Sequence, residues 1–281
     1  MIEAYEDLGY DVTDAIALIT LNRPARLNAW TAAMQVSLQR AIGAAASDSD
    51  VRAIVVTGAG RGFCAGADMG LLASVSQSAG AVGLATARAV DPVAASGQDP
   101  ELRANYGGRF GYMLDVPKPI IAAVNGPCAG IGMVFSLFCD LRFASRAAFF
   151  TTAFSQRGLI AEHGISFMLP RLVGPMHALD LLLSSRRVSG AEAERIGLVT
   201  SAFAHETFMS QVRDYALRLA RDVSPRSMAV IKAQVWKGLR QDLDAAVELA
   251  DREMQKSFAS ADFKEGIAHF VEKRPAKFTG A

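Results

Sequence analysis

The sequence predicts an α/β fold built around a largely parallel sheet. Three uncharged apolar runs, at 15–21, 53–57 and 120–124, have the length and the β-branched residues of buried strands. Segments long enough for helices separate these runs, and strands connected in this way usually pair in parallel. Of the 281 residues, 51% are hydrophobic and 20% are charged, so the chain has enough apolar surface to bury a large core.

The helices expected between these strands have recognisable beginnings. After the turn at 22–24, Thr31 has the side chain and position of an N-cap. The strand at 120–124 is expected to lead through Gly126 and Pro127 into a buried helix that begins near Gly130. No charge occurs between Lys118 and Asp140, but the prolines and glycines of this stretch would break a membrane-spanning helix.

Shorter apolar runs predict further strands at 141–144, 148–152 and 198–203. The last hundred residues are expected to be mainly helical. Ser189 and Glu192 have the spacing of a capping box, in which each side chain binds the other residue's backbone N–H. An apolar stripe repeats at three- and four-residue spacing and is expected to pack on the core or on another subunit. Its members are Leu239, Leu243, Val247, Ala250, Met254 and Phe258.

One segment, 73–108, differs from the rest of the chain. It is rich in Ala, Ser and Gly and is interrupted by Pro92 and Pro100. Long connections of this composition are often lids over a site, although a surface insertion without a role fits equally well. Together with a helix expected at 107–115, this segment would form part of the wall of a binding pocket.

Composition excludes several classes of function. The net charge of +1 gives no strong field for nucleic acid or for a charged membrane surface. The N-terminal residues show no secretory signal, and the three cysteines have no C-x-x-C spacing, so we expect a cytoplasmic protein in a reducing compartment. The four histidines have no metal-ligand spacing, and no metal site is predicted.

Common catalytic and nucleotide-binding motifs are incomplete or absent in this sequence. The glycines at 58, 60 and 62 resemble a dinucleotide fingerprint, but Phe63 stands where the third glycine of that pattern belongs. The sequence has no phosphate-binding P-loop and no G-x-S-x-G nucleophile elbow. Cys64 has no histidine placed to activate it, so a small buried thiol is the better interpretation.

Two glycine-containing turns, at 62–69 and 124–132, follow two of the predicted strands. Glycine lets the backbone approach a ligand closely, and the N–H groups at the start of a helix attract negative charge. Two such turns could direct two N–H donors at one oxygen atom, which is the arrangement of an oxyanion hole. Spacing alone does not distinguish this arrangement from two structural turns.

At these turns the chain resembles the crotonase, or enoyl-CoA hydratase/isomerase, superfamily. The matching segments cover most of the chain outside 73–108. They are L-N-R-P at 21–24 with Asn28 and Ala29, G-A-G-R-G-F-C-A-G-A-D at 58–68, P-K-P-I-I-A-A-V-N-G at 117–126, C-D-L-R-F-A-S at 139–145, R-R-V-S-G-A-E-A at 186–193, R-I-G-L-V at 195–199, D-F-K-E-G at 262–266 and F-V-E-K-R-P-A-K-F at 270–278.

The resemblance implies roles for particular residues. The backbone N–H groups of Ala67 and Ile131 match the two donors that hold the thioester oxygen while an enolate forms. Arg26 matches a basic residue near the phosphates of coenzyme A, and Phe270 and Lys273 match a pair that reaches the nucleotide, often from a neighbouring subunit. The other positions expected around the substrate are Ala29, Ala65, Gly66, Asp68, Met69 and Gly130.

The resemblance also implies the architecture and the partners. It predicts a crotonase-like spiral of β-β-α units over 1–190, with a lid-like insertion at about 73–108, and a helical trimerisation region over 191–281. The expected assembly is a homotrimer or a dimer of trimers. The expected ligand is an acyl-CoA substrate, with no separate cofactor because coenzyme A enters as part of that substrate.

The chain departs from the family pattern where the chemistry is decided. Typical hydratases carry two glutamates, at positions that match Val134 and Phe154, and neither residue can move a proton. Glu162 instead lies in a G-L-I-A-E-H-G stretch that is similar to the G-L-x-x-E-G-G of Δ3,Δ2-enoyl-CoA isomerases. The resemblance therefore favours double-bond isomerisation with Glu162 as the single acid and base.

Two other functions remain open at this stage. Glu162 alone could activate water for an enoyl-CoA hydratase, or the chain could be a CoA-ester binding protein with weak catalysis. Glu162 could also be a structural residue that forms a salt bridge or ends a helix, and His163 beside it could be a packed or solvent-facing side chain.

Overall fold

The computed structural model describes residues 5–70 and 99–281, and its centre is a six-stranded sheet with the order β1-β2-β3-β4-β6-β9. A three-stranded sheet with the order β5-β7-β8 lies beside it. The strands are β1 (Leu8–Thr13), β2 (Ile16–Leu21), β3 (Ala53–Gly58), β4 (Ile120–Val124), β5 (Cys128–Ala129), β6 (Leu141–Ser145), β7 (Phe149–Thr151), β8 (Val188–Ser189) and β9 (Ser201–Phe203).

Helices of very different length connect and follow these strands. They are α1 (Ala32–Ser47), α2 (Pro100–Asn105), α3 (Ile131–Phe138), α4 (Ile165–Ser184), α5 (Gly190–Arg195), α6 (Phe208–Asp222), α7 (Pro225–Gly238), α8 (Leu243–Ala259) and α9 (Ala261–Glu272). Short 3-10 turns lie at Pro24–Arg26, Gly111–Asp115 and Ser155–Arg157. Helix α4 changes direction at Gly174, whose backbone is not helical, and Pro175 follows this break.

The central strands of the main sheet are buried on both faces. Strands β2, β3, β4, β6 and β9 pair in parallel, and β1 joins the edge as an antiparallel hairpin partner of β2. Along β3, Ile54 and Val56 face the larger core, while Ala53 and Val55 face a smaller core that α6 covers. A parallel sheet covered on both sides explains why its strands read as continuous apolar runs in the sequence.

Local signals placed several elements correctly. Strands β2, β3 and β4 lie at the three apolar runs, and the Thr31 hydroxyl caps α1 by accepting a hydrogen bond from the Met34 N–H at 3.0 Å. The uncharged stretch before Asp140 forms β4, a turn and the fully buried α3. No helix in the described ranges is long and apolar enough to cross a membrane.

Other local predictions were wrong in part. The Ser189 hydroxyl accepts from the Glu192 N–H at 3.2 Å, but the Glu192 carboxylate accepts from the Arg186 guanidinium at 2.9 and 3.1 Å, so the reciprocal half of the capping box is not formed. The helix predicted at 107–115 is absent because Gly108 has a φ of +85°, and only a 3-10 turn at Gly111–Asp115 occurs there.

Two further predictions concern residues outside the described ranges or contacts with another subunit. Most of the predicted lid at 73–108 lies outside the described residues, and its described end contains α2. The apolar stripe of α8 does not pack on the core, since Leu243 is 77% exposed and Phe258 is 51% exposed. Packing of this stripe on another subunit therefore stays a prediction.

Candidate active site

The two glycine-containing turns pack directly against each other. They follow β3 and β4, which are neighbours in the sheet, so both turns emerge at the same sheet edge. The N–H groups of Phe63 and Cys64 donate to the Pro127 carbonyl at 3.1 and 3.0 Å, and the Ala129 N–H donates to the Cys64 carbonyl at 2.9 Å. Cys64 and Cys128 thus form a short parallel bridge that joins the turns.

This close approach requires glycine at two positions. A Cβ atom on Gly126 would lie 2.0 Å from the Arg61 carbonyl oxygen, which is far inside van der Waals contact. A Cβ atom on Gly132 would lie 2.6 Å from the Cβ of Cys64 and 2.7 Å from its carbonyl oxygen. The glycines that the sequence placed in these turns are therefore needed for the turns to meet.

Two buried asparagines hold the first turn in place. The Asn28 side chain is fully buried and donates to the carbonyl oxygens of Ala59 and Gly62 at 3.0 and 2.7 Å. The Asn125 side chain donates to the Gly58 carbonyl at 2.9 Å and accepts from the same residue's N–H at 3.2 Å. Both asparagines lie in motifs that carried the family resemblance, although their role as clamps was not predicted.

Neither of the two N–H groups predicted for the oxyanion hole has an acceptor among the described residues. The Trp30 N–H binds the Gly66 carbonyl and the Asp68 N–H binds the Trp30 carbonyl, which leaves the Ala67 N–H between them unpaired among the described residues. Ile131 is the first residue of α3, where helix geometry provides no acceptor for its N–H. The arrangement therefore leaves one free donor on each turn.

The residues next to these two donors touch across the turns. A Cβ atom on Gly130 would lie 3.8 Å from the Cα of Gly66, and both glycines have positive φ, +50° and +109°. The Gly130 N–H itself is occupied, because it donates to the Thr151 carbonyl at 3.0 Å. The two turns are therefore in contact at the residues that immediately precede the two donors.

The predicted coenzyme A residues near the first turn lie together around an ion pair that the sequence did not indicate. The Arg23 guanidinium donates to the Asp68 carboxylate at 3.0 Å and to the Ala29 carbonyl at 2.7 Å. The hydrogen bond from Arg23 lowers the pKa of Asp68, and the charge of the exposed Arg26 contributes to the same shift. Arg23 also pairs with the Asp7 carboxylate at 3.5 Å, so Arg26 is the exposed cation beside this ion pair.

Other predicted substrate positions flank this ion pair. The Ala65 N–H donates to the Leu27 carbonyl at 3.0 Å, which ties the two segments together. Met69 follows Asp68 and is 67% exposed. These small or exposed positions leave the backbone of the turn open to a ligand.

The remaining predicted pair is not brought to the turns within one chain. Phe270 is 79% exposed near the end of α9, and Lys273 ends that helix in the left-handed conformation. The tail after α9 lies near the other end of the sheet, since the Phe278 carbonyl accepts from Arg52, which precedes β3. No hydrogen bond or ion pair joins Phe270 or Lys273 to the turns within the described chain.

Apolar side chains occupy the positions of the usual pair of glutamates. Val134 lies in the first part of α3 and is fully buried, and Phe154 is 6% exposed before the 3-10 turn at Ser155–Arg157. Both belong to the larger hydrophobic core. A carboxylate at either position would need a partner in this apolar surrounding, and none of the usual hydratase chemistry can originate there.

Glu162 lies on the loop between the Ser155–Arg157 turn and α4, and its carboxylate is partly accessible. Its side chain is 32% exposed, and its Oε2 lies 3.2 Å from Nε2 of His163. His163 has a φ of +55°, in the left-handed region that glycine adopts more easily. His163 therefore contacts the carboxylate from a backbone conformation that is unfavourable for its residue type.

The loop that carries Glu162 rests on α3. A Cβ atom on Gly164 would lie 3.3 Å from the ring of Phe138, at the end of α3. The Phe138 ring packs on Phe110 with a centroid distance of 5.8 Å, and Phe110 packs in turn on Trp30 at 5.5 Å. The helix that begins with the free Ile131 N–H thus also supports the loop with the carboxylate.

Sequence reasoning missed a charged residue in this region, Arg109. Burial lowers the pKa of the Arg109 guanidinium, and the negative charge of Glu162 opposes that shift. The Nε atom of Arg109 is buried without a hydrogen-bond partner among the described residues. The one sequence signal for this residue was an arginine at the start of a mostly apolar stretch before Lys118.

The cysteines have the character expected of buried thiols. Burial raises the pKa of Cys64 to about 12 and raises that of Cys128 well above its ordinary value, so neither is a thiolate at neutral pH. All three cysteines are free and buried. Within the described ranges, no group of three or more His, Cys, Asp or Glu side chains is arranged to hold a metal ion.

The strand order, the second small sheet and the helical C-terminal region define an α/β protein with the crotonase fold. A family model described as enoyl-CoA hydratase/isomerase matches residues 11–281, and the chain belongs to that family. The resemblance found from the sequence is confirmed, and the chain is an enzyme of this family.

Individual relatives carry different activities in their names. A Rhodobacter capsulatus protein named "Probable enoyl-CoA hydratase" is 35% identical over 277 residues, which is 99% of both chains. The 1,2-epoxyphenylacetyl-CoA isomerase of Escherichia coli is 32% identical and covers 96% of this chain and 97% of its own. The crystal structure of an enoyl-CoA hydratase from Bacillus anthracis superposes with a TM-score of 0.86 at 26% identity, covering 98% of this chain and all of the other.

Proposed function

We propose that the protein isomerises the double bond of an enoyl-CoA, with Glu162 as the only acid and base. The observation that carries this proposal is the distribution of carboxylates around α3. Val134 and Phe154 are apolar and buried, whereas Glu162 is partly exposed on a loop that packs on the same helix. A double-bond shift needs one group that removes a proton and returns it, and a single carboxylate can do both.

The reaction would proceed through an enolate of the thioester. The N–H groups of Ala67 and Ile131 would donate to the thioester oxygen, and Glu162 would remove a proton from C2 of a 3-enoyl-CoA. The electron pair of the broken C–H bond then delocalises over the dienolate, whose oxygen bears the charge that the two donors stabilise. Return of the same proton from Glu162 to C4 gives the 2-enoyl-CoA and restores the carboxylate.

Coenzyme A would lie along the solvent side of the first turn. Its adenine end would lie along the partly accessible turn around Ala65 and Asp68, and the exposed Arg26 would bind its phosphates. Exposure of Phe270 and Lys273 far along α9 favours their use by a neighbouring subunit of a trimer. No cofactor beyond the coenzyme A of the substrate takes part in the proposed reaction, and a cytoplasmic location stays a prediction.

Hydration is the second candidate, and the names of several relatives favour it. In that reaction Glu162, in contact with His163, would activate a water molecule for addition to a 2-enoyl-CoA. A CoA-ester binding protein with weak catalysis would retain the turns and lose turnover. An isomerase would consume a 3-enoyl-CoA, a hydratase would consume a 2-enoyl-CoA, and a binding protein would consume little of either.

Glu162→Gln separates these possibilities when each substrate is supplied alone. We expect the wild-type protein to convert a 3-enoyl-CoA into its 2-enoyl isomer and the variant to lose about 10²- to 10⁴-fold in kcat, because the amide cannot exchange the proton. Glu248→Gln, at an exposed glutamate of α8, serves as the matched control. Hydration of a 2-enoyl-CoA without isomerisation of the 3-enoyl-CoA would contradict the proposal.

A further inference from the structure

We propose that Arg109 is a specificity-determining residue that binds an oxygen atom on the acyl group of the substrate. The ligand class is an acyl-CoA whose acyl chain carries a hydroxyl, carbonyl or carboxylate oxygen, as opposed to a pure hydrocarbon chain. This inference rests on the proposed function, because it assumes that the acyl group lies between the two turns and Glu162.

The position of Arg109 is fixed by the aromatic cluster beneath the Glu162 loop. The next residue, Phe110, is 1% exposed, and its ring centroid lies 5.7 Å from that of Phe135 and 5.8 Å from that of Phe138. The Phe138 ring also lies under Gly164, two residues after Glu162. Arg109 and Glu162 are thus each within two residues of a position that packs on the Phe138 ring.

The electrostatics agree with this placement. The carboxylate of Glu162 raises the pKa of Arg109, although burial has the larger and opposite effect. The two charges therefore share one partly desolvated region. Glu162 nevertheless makes its own close contact with His163, and no ion pair joins it to Arg109 among the described residues.

The unpaired Nε of Arg109 is unusual within this protein. Arg142, a buried arginine, binds the Leu198 carbonyl through its Nε at 3.0 Å and the Cys139 carbonyl through an Nη at 2.7 Å. Arg109 is only partly buried, but its Nε atom is buried and has no such acceptor among the described residues. Buried donors are almost always satisfied in folded proteins, so the Arg109 Nε is available to an acceptor that the described residues do not supply.

The backbone just before Arg109 is exposed and uncrowded. Gly107 and Gly108 precede it, and a Cβ atom on either would meet no atom of the described residues within 4 Å. An oxygen on the acyl chain could then bind the guanidinium, while a hydrocarbon chain would cover Nε and leave it without a partner. A hydrogen bond to a charged donor changes affinity by about 10- to 100-fold, which sets the size of the expected discrimination.

Binding of saturated acyl-CoA thioesters tests this inference independently of turnover. Calorimetry would compare hexanoyl-CoA with hexanoyl-CoA carrying a hydroxyl at carbon 5 or carbon 6, or a carboxylate in place of the terminal methyl. We expect the wild-type protein to bind at least one oxygenated thioester about 10- to 100-fold more tightly than hexanoyl-CoA. The hydroxyl and carboxylate compounds distinguish a neutral from an anionic acceptor.

The variants Arg109→Leu and Arg109→Gln should lose this preference and bind hexanoyl-CoA at least as well as the wild-type protein. Two substitutions are used so that misfolding of one does not decide the result, and Arg195→Leu, at an exposed arginine of α5, is the control. Equal binding of all thioesters by the wild-type protein, or a preference that survives in both variants, would overturn the inference.

The same measurements separate this inference from the proposed function. If hexanoyl-CoA and the oxygenated thioesters all fail to bind the wild-type protein, the acyl-CoA site itself is refuted, and the role of Arg109 is refuted with it. If hexanoyl-CoA binds and no preference for oxygen is seen, only the role of Arg109 is refuted.

Discussion

Replacing Gly132 with alanine tests how closely the two turns must fit. The new Cβ atom would lie 2.6 Å from the Cys64 Cβ and 2.7 Å from its carbonyl oxygen, whereas non-bonded carbon atoms prefer about 3.5–4.0 Å. Relief of this overlap requires the turns to separate by about 1 Å. That movement would also stretch the 2.9 Å hydrogen bond from the Ala129 N–H to the Cys64 carbonyl.

Two losses follow from this separation. Overpacking of a well-filled site costs about 1–3 kcal/mol, and weakening of one hydrogen bond adds up to about 1 kcal/mol. A total near 3 kcal/mol would lower the unfolding midpoint by about 6–12 °C for a chain of this size. Displacement of the Ala67 and Ile131 donors by about 1 Å from each other would reduce turnover by about 100-fold.

The assay combines thermal unfolding with turnover of an enoyl-CoA at saturating substrate. Gly238→Ala is the matched control, because a Cβ atom at this helical glycine meets nothing within 4 Å and alanine favours the helix. We expect the control to keep its stability and its activity. An unchanged midpoint and an unchanged kcat for Gly132→Ala would refute the packing argument.

Two further predictions concern a loop and the tail. His163→Gly should relieve the left-handed strain at φ +55° and raise the unfolding midpoint, yet lower kcat about tenfold because the 3.2 Å contact with Glu162 is lost. Ala15→Gly, at φ +63°, is the control and should stabilise the protein without lowering kcat. An undiminished kcat in His163→Gly would contradict a role of His163 in supporting Glu162. Burial alone would raise the pKa of Asp262, but hydrogen bonds from Ser224, Gly280 and Thr279 lower it overall. The stability this carboxylate contributes is therefore present above its ordinary pKa of 3.8 and lost as the pH falls through its lowered value. Asp262→Asn should reduce the difference in unfolding midpoint between pH 7 and pH 3, and an identical difference would refute the assignment.

Structural features that depend on residues close together along the chain could be predicted from the sequence. Strands β3 and β4 are buried on both faces, so their apolar runs were continuous and easily recognised. The cap of α1 was predicted because Thr31 binds an N–H only three residues away. Strand β1 was missed, since Leu8 is its only buried residue and the strand gains its pairing only from β2.

Only some of the residues and contacts of the candidate site could be predicted from the sequence. The glycines at 126 and 132 and the single candidate acid Glu162 could be named from motifs, because each motif is a contiguous stretch of chain. The pairing of Arg23 with Asp68, 45 residues away, could not be named, since many arginines could have reached that carboxylate. In the same way, Glu192 was expected to bind its own helix end, but the folded chain offers it the guanidinium of Arg186.

The sequence by itself determined the family, the buried strands and the glycine turns, because these are written in local residue order and in residue size. Only the tertiary structure decided that the stripe of α8 is exposed and that the Ala67 N–H and the buried Nε atom of Arg109 have no acceptor among the described residues. Each of these depends on which distant groups satisfy or cover an atom. Whether a polar atom has a hydrogen-bond partner and whether a side chain is buried both depend on packing. Packing brings together residues that are distant along the chain, and the sequence does not show which of them will meet.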